Sequence, residues 1–425
     1  MVVVRDGRFA EIRVGADAPA PPDLPLTDLT GLVLGPGLVD SHVHINDPGR
    51  AHWEGFASAT RAAAAGGVTT LVDMPLNSLP PTTTLAGLRA KQAAAAGVLW
   101  VDVALWGGIT GNDVSHVDAL VDAGVAGFKV FLSDSGVAEF PPVDTAGLGQ
   151  ALKAAGRRQL PVVIHAEAPG PLARATPPSG PAYAGWLASR PAAAELEAVR
   201  AVVDAAAISG GQAHIVHLSA AGALPLLESA RRAGVPVSAE TCPHYLSLSA
   251  EELPDGTTVA KCAPPIREAS NREELWDGVR AGIVTSVVSD HSPAPPKLKN
   301  PSDGDFAFAW GGISGLQTQL PVVWSAARER GVGLAELAQL QCTAPAALAG
   351  LSRKGSIVTG MDADLVAWDP SATWVVDPSL LLHRHPLSPW AGRTLHGVVR
   401  HTWLRGRLVD VTGPPFGTLL ARSAW

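Results

Sequence analysis

Cysteine is scarce in this chain: three in 425 residues, at Cys242, Cys262 and Cys342. So few thiols build no disulfide framework, and they fit a reducing compartment, so a cytoplasmic location is expected. Charge is also sparse, at 17% of residues, with 32 basic against 39 acidic side chains. No basic stripe is present to displace the counterions of nucleic acid, which argues against that class of partner. No uninterrupted apolar run is long enough to span a bilayer. The opening Met1-Val-Val-Val-Arg5-Asp6 places charge where a secretory signal would be apolar. Tyrosine is limited to Tyr183 and Tyr245. What the chain has in quantity is apolar material, 47% of residues, enough for one large domain and a smaller one.

Short β-rich runs recur, each ending in polar residues and followed by an Ala-rich helical stretch. They are Leu38–His44, Thr69–Met74, Val101–Trp106, Gly127–Phe131, Pro161–His165, Ala213–His217, Pro236–Thr241 and Thr285–Asp290. Helical segments between them include Glu54–Ala65, Thr84–Ala96, Glu195–Ala207, Ala220–Ala233 and Asn271–Ala281. Eight strands alternating with helices predict an α/β fold of the (β/α)8 TIM-barrel type. A doubly wound open sheet is the alternative, but it wants a Gly-rich phosphate loop after its first strand. Both chain ends are β-rich instead. Val2–Val14 reads as a hairpin around Asp6-Gly7, Gly355–Asp369 as a turn and strand, and Gly397–Val409 as a second hairpin. Ala18–Pro25 reads as a Pro-rich linker. The expected division is 1–36 and 351–425 as a small β-sandwich domain built from both ends, and 37–350 as the barrel.

In such a barrel the chemistry sits at the C-terminal ends of the strands. Those ends carry His42 and His44, Lys129, His165, His217 and Asp290. Residues two apart on a strand face the same way, so His42 and His44 aim at one point, an arrangement suited to a cation. Each residue has a plainer reading: a surface histidine, a snorkelling lysine, a turn-capping aspartate. Six such residues at the same end of successive strands make that coincidence improbable.

Lys129 stands in Gly127-Phe-Lys-Val-Phe-Leu132, apolar on both sides. Burial lowers an ammonium from its reference near ~10.4. A neutral amine beside two cations adds carbon dioxide, and the carbamate (N6-carboxylysine) is an anion able to bridge them. The six positions therefore make a donor set for two divalent cations. Zinc is the expected metal, and the same nitrogen and oxygen set accepts manganese, cobalt or iron. Asp290 is also the candidate catalytic proton shuttle.

These residues resemble the cyclic amidohydrolases of the amidohydrolase superfamily, and their allantoinase branch in particular. The likeness runs through Gly37–Arg50, Trp53-Glu-Gly-Phe56, Asp73–Thr82, Gly127–Ser133 and Glu240-Thr-Cys-Pro-His-Tyr245. It continues through Lys261–Arg267, Val288–Pro293, Trp310–Gly315 and Ser388–Arg393. The resemblance implies metal-dependent hydrolysis of the allantoin ring to allantoate, a binuclear site with a carbamylated lysine, and a homotetramer. It also implies backbone contacts to the ring near Ala263 and Gly311.

Arg50 and Asn77 are loop candidates for substrate contact. Dihydroorotases, which are similar, usually carry arginine where this chain has Asn46, and that loss removes the partner of an acidic substrate. Hydantoinases and dihydropyrimidinases usually carry a tyrosine shortly after the lysine. None follows Lys129 here, and Ser133 or Ser135 is the substitute. The rival from another class is a catalytically silent scaffold, but such proteins lack several ligands. His214 and His291 are expected to face away from the mouth, His244 to pack behind it or to contact substrate, and Glu167 to support His165.

Overall fold

The computed structural model describes residues 1–13, 15, 21, 24–299 and 303–422. Val14 and most of the expected linker over Ala18–Pro25 lie outside the described residues.

Eight parallel strands form the barrel: Leu38–Val43, Val68–Asp73, Asp102–Leu105, Phe128–Phe131, Val162–His165, Ala213–Ile215, Val237–Thr241 and Ser286–Val287. The third continues past Trp106 as Gly107–Gly108, which pairs with the fourth. The ring closes where Val43 bridges His291. Side chains sort by strand alternation. Val103, Leu105, Phe128, Val130, Val162 and Ile164 join the outer core, which includes Ala59, Ala63 and Ala198 from the surrounding helices. Ala104, Trp106, Phe131 and Val163 join a second, inner cluster. Lys129 and His165 fall on the inner parity.

The helices begin and end close to their sequence signals. Thr84 caps Leu85–Ala95, its hydroxyl accepting from the Gly87 amide at 3.2 Å. Pro191 precedes Ala192–Ser209, which Gly210 terminates in the left-handed region at φ 68°. Among the described residues, no helix is long and apolar enough to cross a membrane.

Two of the expected strands are too long. The sixth stops at Ile215 and the eighth at Val287, so His217 and Asp290 stand beyond them on loops. Both have left-handed backbones, at φ 39° and 44°. That conformation is unfavourable for a side chain with a Cβ and is typical of residues aimed at a site.

The chain ends meet as expected. Val33–Pro36, Leu365–Val375, Thr394–Leu404 and Arg407–Leu408 form an antiparallel sheet. The hairpin Val2–Arg5/Arg8–Ile12 packs on it through Phe9, Ala363 and Leu365. A buried cluster joins this sheet to the barrel. The Lys354 ammonium donates to Asp102 and Asp364, each at 2.7 Å, and lies 3.0 Å from Asp362. Arg405 also pairs with Asp102.

Candidate metal centre

The barrel mouth opens on a cavity of about 250 Å³. His42, His44, Lys129, His165, His217 and Asp290 all line it. They fall into two groups. Asp290 Oδ1 lies 3.2 Å from His42 Nε2 and 3.6 Å from His44 Nε2. On the other side, His165 Nδ1 lies 2.9 Å from His217 Nε2. The rings of His42 and His217 bring the groups together, with centroids 5.4 Å apart.

All these imidazoles are buried. Burial, helped by the charges of His42 and Lys129, holds His44 well below the usual imidazole range. His217 is lowered likewise by burial, His165 and Lys129. His165 is lowered by burial against the opposing pull of Glu167. Neutral imidazole is the form that binds metal. Lys129 is 1% exposed, and its Nζ has no hydrogen-bond partner among the described residues. Burial takes its amine down to about 7, although Asp290 and Glu240 oppose the shift. An unpartnered buried amine, two facing imidazole nitrogens and a carboxylate shared by two more histidines fit a pair of cations and a bridging anion. They do not fit a satisfied core.

Carboxylates behind the histidines fix the rings. Glu240 Oε1 holds His42 Nδ1 at 2.6 Å, and Oε2 holds His214 Nε2 at 3.0 Å. His214 Nδ1 reaches the Ser238 hydroxyl at 2.8 Å. Burial opposes the Glu240 charge, but the bonds from His214 and His42 outweigh it and hold the carboxyl at about 2. Glu167 holds His165 Nε2 at 2.7 Å and is itself clamped by Arg190. These contacts set which ring nitrogen faces the cavity.

His214 corrects one expectation. Counting three residues back from His217 places it on the outer face, but the chain leaves the strand after Ile215, so the count does not carry across. Its inward parity follows from Ala213 and Ile215 lying in the outer core. Glu240 was missed altogether. Its signal was available, because it alternates with Val237 and Ala239, which face outward. His291 does face away, with Nε2 3.3 Å from Glu54. His244 is sealed next to Cys242 and Asp290, and burial takes it down to about 3.

Among the substrate-contact candidates, Asn77, Ala263 and Gly311 line the cavity. Arg50 is not among the lining residues. Its guanidinium pairs with Glu139 at 2.6 Å and donates to the Asn77 carbonyl at 3.0 Å. Ser135 lines the cavity, but its hydroxyl donates to the Phe140 carbonyl at 2.7 Å. Ser133 is buried and not among the lining residues. Trp186, Arg190, Lys261, Ser292 and Trp310 line the cavity without having been singled out as contacts.

Known proteins extend this picture. The chain is 50% identical to an allantoinase of Streptomyces avermitilis over 99% of its own length and 95% of the relative's. It is 42% identical to the allantoinase of Saccharomyces cerevisiae, covering 94% and 88% of the two chains. Among solved structures, L-hydantoinase (dihydropyrimidinase) from Arthrobacter aurescens superposes with a TM-score of 0.91 at 29% identity, covering 99% and 95%. Dihydropyrimidinase from Brevibacillus agri gives 0.87 at 27% identity, with the same coverage. The amidohydrolase family profile matches residues 33–409. With that match spanning the whole barrel and its metal-binding donor set, the chain belongs to the amidohydrolase family.

Proposed function

We propose that this protein hydrolyses the cyclic amide of allantoin to allantoate. Two divalent cations, zinc foremost, would be held by His42, His44, His165, His217, Asp290 and a carbamate on Lys129. The observation that carries the reading is Lys129, a buried amine with no hydrogen-bond partner among the described residues, set among four imidazoles and a carboxylate. Its Nζ would add to carbon dioxide, forming a C–N bond and losing one proton to solvent, and the resulting anion would supply two oxygen donors. When bound, the cations polarise a carbonyl and lower the pKa of water from about 15.7 to about 7.

The chain's own residues supply position and proton transfer. The left-handed backbone of Asp290 holds its carboxylate over His42 and His44. The Ser292 hydroxyl donates to Oδ1 at 2.8 Å, leaving Oδ2 to take the proton of the attacking water and return it to the departing ring nitrogen. A cavity of about 250 Å³ suits one small ring.

Three features favour allantoin among cyclic amides. Asn46 turns to the Pro293 carbonyl at 3.3 Å and offers no fork for an acidic ring. The Tyr183 and Tyr245 hydroxyls donate to the carbonyls of Ile266 and Pro264, at 2.9 and 2.7 Å, so neither serves as the tyrosine donor expected of a hydantoinase. The allantoinase relatives stand at 40% identity and above, against 29% and 27% for the two hydantoinase and dihydropyrimidinase structures named above.

The test is a panel of allantoin, hydantoin, dihydroorotate and dihydropyrimidines on metal-loaded protein. Allantoin is expected to be turned over fastest. Faster turnover of dihydrouracil would move the substrate and leave the chemistry. Protein free of metal after growth with zinc and manganese would return the scaffold reading. The division at 36/37 and 350/351, a cytoplasmic location and a homotetramer belong to the same proposal. Three free, buried cysteines support the location, and light scattering reads the assembly.

A further inference from the structure

One wall of the cavity is the segment 309–312, and two lysines from different loops hold its carbonyls. Lys261, after the seventh strand, donates from Nζ to the Ala309 carbonyl at 2.6 Å and to that of Phe306. Lys299, at the end of the short helix Pro296–Lys299, donates to the carbonyls of Lys261 and Trp310, each at 2.9 Å. Main-chain bonds complete the brace: the Trp310 amide to the Leu298 carbonyl, and the Gly312 amide to that of Lys261, each at 2.7 Å. Gly312 has φ 135°, and a Cβ there would stand 2.2 Å from the Ser292 carbonyl oxygen, so only glycine seats the wall against the segment that follows Asp290.

Both lysines are buried, at 6% and 3% exposure, and neither forms a salt bridge with a carboxylate among the described residues. Burial takes Lys299 down to about 7, helped by Lys261, and Lys261 down to about 8, helped by Arg190. Two neighbouring amines sealed against carbonyls, with the Trp186 ring centroid 4.3 Å from Lys261 Nζ, are a costly way to hold a loop, since a long apolar side chain would fill the same space.

The Trp310 carbonyl and the Gly311 N–H are the two ends of one peptide group. A hydrogen bond donated to the oxygen draws density from the nitrogen and makes the N–H a stronger donor. Gly311 lines the cavity, open space stands where its Cβ would be, and its amide has no partner among the described residues. We propose that Lys299, braced by Lys261, is a positioning residue: it fixes and polarises the Trp310–Gly311 peptide so that the Gly311 N–H donates to a carbonyl oxygen of the ring substrate.

The inference rests on the ring hydrolysis proposed above, and its test stands apart from the choice of ring. Lys299→Met keeps the length of the stem and removes the amino donor. In metal-loaded enzyme it is expected to raise KM about tenfold, with kcat within about twofold and bound metal unchanged, the pattern of lost uniform binding. Lys299→Gln keeps a neutral donor and is expected to raise KM about threefold. A merely structural lysine would lower the melting temperature together with kcat or metal content and leave KM in place. Unchanged KM, or a loss confined to kcat or to metal, overturns the proposal. If Lys299→Met does not fold, Lys299→Gln decides alone. Kinetics are read on whichever ring the panel shows to be hydrolysed, so failure of the allantoin assignment and failure of the lysine assignment give different results.

Discussion

Lys129 in the fourth strand and Lys354 beneath the start of the third are both nearly sealed from water, at 1% and 5% exposure. Their surroundings differ in kind. Lys354 is ringed by Asp102, Asp362 and Asp364. Burial disfavours its charge, but those three carboxylates outweigh that and hold the ammonium well above its ordinary range. Lys129 has no such ring, and burial brings it to about 7. One lysine is a permanent cation joining the small sheet to the barrel. The other is an amine available for chemistry. Burial alone does not distinguish them; the supply of counter-charge does.

That comparison can be broken at either end. Lys129→Ala is expected to abolish turnover and deplete bound metal, read by elemental analysis, and added propionate is expected to restore part of the activity by bridging in place of the carbamate. Full turnover in this variant would end the carbamate argument. Lys354→Met should leave the mouth intact and weaken the seam. A loss of about 3–5 kcal/mol in denaturant unfolding is expected, because three carboxylates lose their cation, while kcat at low temperature stays within about twofold. A variant as stable as the parent would show that Arg405 alone suffices at Asp102. Glu240→Gln frees His42 and His214 from their shared anion and is expected to lower metal affinity about 10–100-fold, measured by chelator competition, with the fold retained.

The smallest effect is the pH dependence of the metal-free protein. Glu240 and Glu167 are held near 2, below their unfolded value of 4.5. Their contribution is present above about 4.5 and is lost as pH falls toward about 2. His44 and His217 are kept neutral by burial, so the unfolded chain takes up their protons first as pH drops below the ordinary 6.5. Both signs predict a melting temperature that falls from pH 7 to pH 4. The Lys354 contribution runs the other way: it is present at and below its ordinary 10.5 and is lost only as pH rises past its raised folded value. A metal-free protein more stable at pH 4 than at pH 7 would contradict this account of the mouth.

The periodic features were the legible ones. Leu38–Val43 and Val162–His165 fell close to where apolar runs ended in polar residues, and strand alternation placed Lys129 and His165 inward. The reading broke where alternation stopped. His217 and Asp290 reach the cavity from left-handed loop positions, and a parity count carried through such a turn put His214 on the wrong face. Glu240 was hidden for a different reason. Alternation gives its inward face, but its role depends on a contact with His42, 198 positions away in the chain.

By itself the sequence determined the kinds of donors, their order along the barrel and the strand ends that carry them, because period and residue chemistry are local properties. Only the tertiary structure decided which lysine is a cation and which an amine, and which nitrogen of each histidine faces the cavity. Desolvation and Coulomb interaction depend on distances between groups far apart in the chain, and those distances exist only once the barrel has closed.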